Sequence, residues 1–172
     1  DIGFKRIDFG ASSFNNWIIF PSIGFYVFYF LYNAYSILIF KVSKESRAKS
    51  AEKIPKDLRI FLPITKEEKR TWDYVAISAG ITEEVIYRGY LFYALAIVFP
   101  GLSLVLILLI STLLFGLGHI YQGTEAIKPT IVGLILGFLY IVFNSIIPII
   151  IIHIAQDLVV RNLLDDENNN AN

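Results

Sequence analysis

The run Thr82-Glu83-Glu84-Val85-Ile86-Tyr87-Arg88-Gly89 constrains this chain more than any other stretch, because it sets two carboxylates and a guanidinium among apolar residues. Downstream of it, residues 89–118 contain no charged side chain. An ionisable group at membrane depth is costly and is retained for a function, with a partner to be named. Helical spacing names one. Glu84 and Arg88 are four apart, share a face and can form an ion pair. Glu83 is turned about 100° from Glu84 around the same helix, so its partners must come from other elements.

The surroundings support membrane depth. With 55% hydrophobic and 15% aromatic residues and a mean hydropathy of +0.59, the chain lies outside the range of a soluble domain and fits a polytopic membrane protein. The zero formal charge conceals a basic block, since ten of the fifteen Lys and Arg residues fall within residues 41–70. Five acidic residues interleave with that block, which argues against nucleic acid as a partner. The chain has no cysteine, which removes disulfides, thiolate metal sites and cysteine nucleophiles. It has no methionine either, so residue 1 is not an initiator and a longer N-terminal part is expected. The first apolar run is long enough to span and lacks the cleavage site of a signal peptide.

Taken in order, the periodicity predicts five membrane helices. Residues 17–40 form the first, with Pro21 in its opening turns, where proline is best tolerated. Residues 41–70 form a basic connection. In it Ile54, Leu58, Ile60, Phe61 and Leu62 interleave with Lys53, Lys56 and Arg59, as in a surface-lying segment, and a solvated loop is the alternative. Residues 72–99 form the second helix, with Gly80 and Thr82 as a candidate break before the glutamates. Pro100-Gly101 is a turn. Residues 102–120 form the third helix and 121–129 a short loop. Residues 130–143 form the fourth helix, whose Gly133 and Gly137 are spaced for close helix contact. Asn144-Ser145 interrupts, and Pro148 suits the first turn of a fifth helix over 148–164. The organisation expected is a spanning helix with a basic connection (1–70), a helical core (71–164) and an acidic, Asn-rich disordered tail (165–172). By the positive-inside rule, residues 41–70 face the cytoplasm of a multi-pass protein in the cell membrane. Glu83 then lies roughly 16 Å along its helix from Trp72, which favours a site in the inner half of the bilayer.

The two histidines complete a polar set. His119 follows Phe115 by four residues, and His153 precedes Asp157 by four, each pair on one helix face. Each residue alone has a plainer reading. A histidine in an apolar helix is commonly a packing residue, Glu84–Arg88 a structural pair, Phe115 a packing ring, and Asp157 a partner for Arg161. No single plain reading covers all three sites. A carboxylate and an imidazole facing one water can deprotonate it, and a second histidine can stabilise an oxyanion. Glu83, His119 and His153 are also a chemically acceptable zinc set, although there is no H-E-x-x-H pair and the ligands would come from three helices. No serine has the strand–turn–helix context of a nucleophile elbow.

E-E-x-x-x-R, then F-x-x-x-H, then H-x-x-x-D on successive apolar helices resembles the CAAX-protease and bacteriocin-processing family of intramembrane endopeptidases, over about residues 72–160. The resemblance implies an all-α membrane core in which Glu83 and His119 activate water and Glu84, Arg88 and Phe115 support the site. It implies that His153 stabilises the oxyanion with help from position 157, and that the partner is a peptide or protein substrate, lipidated in the best-known branch, within membrane lipid. It leaves zinc open as a cofactor. One departure stands out: the prenyl-protein branch has Asn where this chain has Asp157, and an ionised Asp cannot donate a hydrogen bond. The rival readings are a non-catalytic scaffold or bacteriocin self-immunity protein with the same core, and a transporter fragment with a buried proton relay.

Overall fold

The computed structural model describes residues 3, 4, 7 and 14–164, so the expected acidic tail, and most of the segment before residue 14, lie outside the described residues. Its elements are α1 (Asn16–Val42), α2 (Lys44–Glu52), α3 (Lys56–Arg59), α4 (Lys66–Glu84), a π-turn (Val85–Tyr90), α5 (Leu91–Val98), α6 (Leu104–Gly118), a 3-10 stretch (Ile120–Ala126), α7 (Ile127–Phe143) and α8 (Ile147–Val160). No strand occurs among the described residues. The all-α expectation holds.

Two stretches are long and apolar enough to cross a membrane: Asn16–Val42, with mean hydropathy 1.6, and Ile120–Phe143, with mean hydropathy 2.0. The second joins the 3-10 stretch to α7, and within the 3-10 stretch Gly123 breaks the helical path with a φ of 60°, in the left-handed region open to glycine. Helices α6 and α8 are equally apolar but have only 15 and 14 residues, about 22 Å of rise against a hydrocarbon core of about 30 Å. The run from α4 through α5 is long enough, but it carries Asp73, Glu83, Glu84 and Arg88. Five spans are therefore not reached on length and composition.

The chain divides into two compact units. The first holds residues 1–26 and 81–151. Here α6 packs along α7 and against α5 and the π-turn. Gly137 admits Leu108 of α6, whose Cδ1 would meet a methyl group there at 2.5 Å. Gly133 lies against Phe115 in the same way, so the glycine spacing does serve close helix contact. Phe92, Ile107 and Leu108 form a buried cluster, extended by Tyr140, whose ring meets Phe92 edge-on at 5.3 Å. Helix α7 stops where expected. Asn144 adopts φ 49°, ψ 34°, and its N–H bonds back to the Tyr140 carbonyl.

The second unit holds residues 27–80 and 152–172. Helix α4 opens with a reciprocal cap: Thr65 Oγ1 accepts from the Glu68 N–H, while the Glu68 carboxylate accepts from the N–H groups of Thr65 and Ile64. The break expected at Gly80 and Thr82 is absent, since α4 runs unbroken to Glu84. Gly80 instead serves packing: a methyl group there would lie 2.5 Å from Ile154 Cγ1 and 3.2 Å from Ile154 N. The irregularity falls later, at the π-turn.

Candidate active site

The motif inside the second expected helix leaves regular α-winding after Glu84 and continues as a π-turn over Val85–Tyr90. Leu91 N–H bonds to the Ile86 carbonyl, five residues back, and such wide turns are frequent at functional sites. The main-chain carbonyl of Tyr87 accepts a hydrogen bond from Ser111 Oγ at 2.8 Å, so a side chain of α6 serves the backbone of the widened turn. Wide winding also brings residues five apart closer to one face than α-winding does. Glu83 and Arg88 are five apart in this way.

Arg88 is the centre of the first unit's polar cluster. It is 1% exposed and Glu84 is fully buried. Nη1 of Arg88 donates to Glu84 Oε1 at 2.8 Å, and Nη2 donates to the Gly133 carbonyl at 2.8 Å. The guanidinium carbon stands 4.7 Å from the centroid of the Phe115 ring. A buried ion pair is tolerated only with such additional bonds. The bare backbone of Gly133 makes the second one available, because a Cβ there would lie 3.2 Å from Nη2 and 2.8 Å from Phe115 Cδ1.

Phe115 hands this cluster on to His119. Its ring meets Tyr87 edge-on at 5.1 Å and His119 at 4.6 Å, and His119 also stacks with Tyr121 at 6.2 Å. His119 Nδ1 lies 2.9 Å from the Phe115 carbonyl oxygen. A carbonyl only accepts, so Nδ1 donates, and in the neutral ring Nε2 is then the nitrogen with the lone pair. His119 ends α6, with its own N–H bonded back to the Gly116 and Leu117 carbonyls. The imidazole is thus fixed in tautomer and direction, and is only partly buried.

His153 and Asp157 belong to α8 in the second unit, and the five other predicted site residues belong to the first. His153 Nε2 lies 3.8 Å from Asp157 Oδ2. Arg161, the alternative partner for Asp157, pairs with Asp73 at 2.5 Å and donates to the Lys69 carbonyl. Trp72 Nε1 donates to the Asp157 carbonyl at 3.0 Å, and Tyr29 Oη donates to Gln156 Oε1 at 2.7 Å. These bonds fix the turn of α8 that carries Asp157.

Tyr87, Ser111 and Gly133 are site residues that the motifs did not name. Ser111 was discoverable, because residues 111, 115 and 119 are spaced by four on one face of α6. The zinc candidates are divided, Glu83 and His119 in the first unit and His153 in the second. Among the described residues no three His, Asp or Glu side chains group as a metal-ligand set.

An all-helical chain of apolar helices, with a buried carboxylate–guanidinium pair leading to a histidine of fixed tautomer, defines a helical membrane protein with an ionisable core. Within that class the assignment is specific. The family model described as type II CAAX prenyl endopeptidase Rce1-like matches residues 71–159, and the chain belongs to this Rce1-like family of proteases. Comparison with curated proteins and with solved structures finds no match.

Proposed function

We propose that the protein is an intramembrane endopeptidase that hydrolyses a peptide bond of a membrane-associated or C-terminal peptide substrate near the cytoplasmic face. In this reading the five apolar helices all enter the cell membrane, residues 71–164 are the protease core, and residues 1–70 supply the first pass and its cytoplasmic connection. Helices α6 and α8, short for the hydrocarbon core, reach across with their flanking turns or with local thinning of the bilayer. The observation that carries the reading is the family match over residues 71–159, which spans all three motifs.

The reaction is direct attack by water. Glu83 takes a proton from the water as its oxygen adds to the scissile carbonyl, while Nε2 of His119 accepts the water's second hydrogen bond and aims the lone pair. The resulting oxyanion accepts a hydrogen bond from His153. When the carbon–nitrogen bond breaks, the proton held by Glu83 passes to the leaving amine. Asp157 acts on His153 rather than on the oxyanion. Asp157 Oδ2 stands 3.8 Å from Nε2 of that ring and is placed to orient it. Glu84, Arg88 and Phe115 hold the π-turn and α6 in register and take no part in proton transfer.

The test is cleavage by the purified protein in proteoliposomes, with mass spectrometry of peptides carrying or lacking a prenyl group near the C-terminus. Cleavage that disappears in Glu83→Ala and in His119→Ala, with insertion intact, supports the hydrolytic reading. Loss of cleavage with a chelator would add a metal to it. A binding function that survives Glu83→Ala in a protein that cleaves nothing favours the scaffold or immunity reading.

A further inference from the structure

The connection between α1 and α4 is folded, and the hydrolytic site does not use it. Arg47 Nη1 donates to the Phe40 and Lys41 carbonyls at the end of α1. Arg59 Nε donates to the Ile54 carbonyl at 3.2 Å and its Nη2 to the Ala51 carbonyl at 2.9 Å. Arg47 thus braces the start of α2 against the end of α1, and Arg59 ties the turn that follows Pro55 back to residues 51–54. A solvated linker needs no such bracing. What the turn displays is apolar: Ile60 is 79% exposed and Phe61 53% exposed, at the tip next to Arg59. Val42, where α1 ends, is 79% exposed.

Charge surrounds that tip. Residues 41–61 hold seven basic and three acidic side chains. Two of the basic ones are the braces, and Lys49 pairs with Glu45 at 2.6 Å. Lys53 and Lys56 are exposed in the segment that leads to the tip, with Asp57 exposed beside them, and Lys41 is exposed at the end of α1. Exposed aliphatic and aromatic side chains beside lysines, at the end of a membrane-length helix, match the headgroup–acyl boundary of an anionic leaflet.

We propose that residues 53–61 form an interfacial foot that docks on anionic phospholipid headgroups, with Ile60 inserted at the acyl boundary and Lys53 and Lys56 on the lipid phosphates. The foot rests on the chain being a membrane protein and not on its catalysis, so a failed protease assay leaves it standing. Lys53 and Lys56 touch nothing in the hydrolytic mechanism.

The absence of cysteine makes the test direct. Ile60→Cys in the full chain is labelled with an environment-sensitive fluorophore and reconstituted in phosphatidylcholine vesicles with or without one-third phosphatidylglycerol. The foot predicts blue-shifted emission and protection from iodide in the anionic vesicles, reversed by 0.5 M salt. In the labelled protein Lys53→Gln and Lys56→Gln should each lower the docked-to-undocked ratio about fivefold at low salt. Equal iodide quenching in the two vesicle types overturns the proposal, as does protection that neither salt nor the lysine substitutions alter.

Discussion

Nη2 of Arg88 donates to the main-chain carbonyl of Gly133 at 2.8 Å, joining a charged residue of the π-turn to the backbone of α7. Glu84 alone does not account for the burial of Arg88. Its guanidinium is held by a carboxylate, a carbonyl and an aromatic face, contributed by three segments of the chain. Removing one partner leaves the others buried without compensation. Arg88→Ala or Glu84→Ala should each lower stability by about 3–5 kcal/mol. Replacing both together, as Glu84→Leu with Arg88→Met, should cost less than either alone. Thermal unfolding in detergent measures this, and a double variant weaker than both single ones would contradict it.

Gly133 supplies a second prediction. Gly133→Ala places a methyl group against Phe115 and the Arg88 guanidinium, and overpacking of this kind costs about 1–3 kcal/mol. Gly24 and Gly101 have nothing within 4 Å of an added Cβ. Alanine at either should leave the unfolding temperature near that of the parent chain, and equal losses at all three positions would contradict the packing account.

Much of this was legible in the sequence, and what was not has identifiable causes. The end of α7 and the start of α8 followed from Asn144-Ser145 and Pro148, because a left-handed residue and a proline act locally. The Glu84–Arg88 pair followed from spacing by four, which tolerates some unwinding. The π-turn did not follow, because its hydrogen bonds depend on Ser111 reaching the Tyr87 carbonyl from another helix. Gly80 was misread for a related reason. A glycine that breaks a helix and one that admits Ile154 look alike until the neighbouring helix is in place.

Asp157 tests the oxyanion assignment. If it orients His153, Asp157→Asn should retain substantial activity, since an amide can still accept from the ring, and the variant restores the residue of the prenyl-protein branch. His153→Ala should lower kcat about 10²–10³-fold, the usual effect of losing one oxyanion donor. Steady-state kinetics on the same peptide decide it. An Asp157→Asn loss as large as that of His153→Ala would give Asp157 a direct chemical role.

The cap of α4 gives a pH dependence. Hydrogen bonds from the N–H of Thr65 and then Ile64 hold the Glu68 carboxyl below its ordinary value of 4.5. A depressed carboxylate stabilises the fold above its unfolded pKa and loses that contribution as pH falls through the folded value. Glu68→Gln should therefore unfold at a lower temperature than the parent at neutral pH, with the difference shrinking below about pH 4.5. A difference of constant size down to pH 3 would remove the charge from the explanation.

The central claim is that Glu83 performs the chemistry while Glu84 holds the structure. Cleavage rate and unfolding temperature measured side by side for Glu83→Gln and Glu84→Gln test it most directly. Glu83→Gln should unfold closer to the parent's temperature than Glu84→Gln does, and lose activity by about 10²–10⁴-fold, the contribution of a positioned general base. Glu84→Gln should lose stability first, with its activity recovering wherever the fold is retained. Glu83→Gln cleaving at the parent's rate would contradict the account.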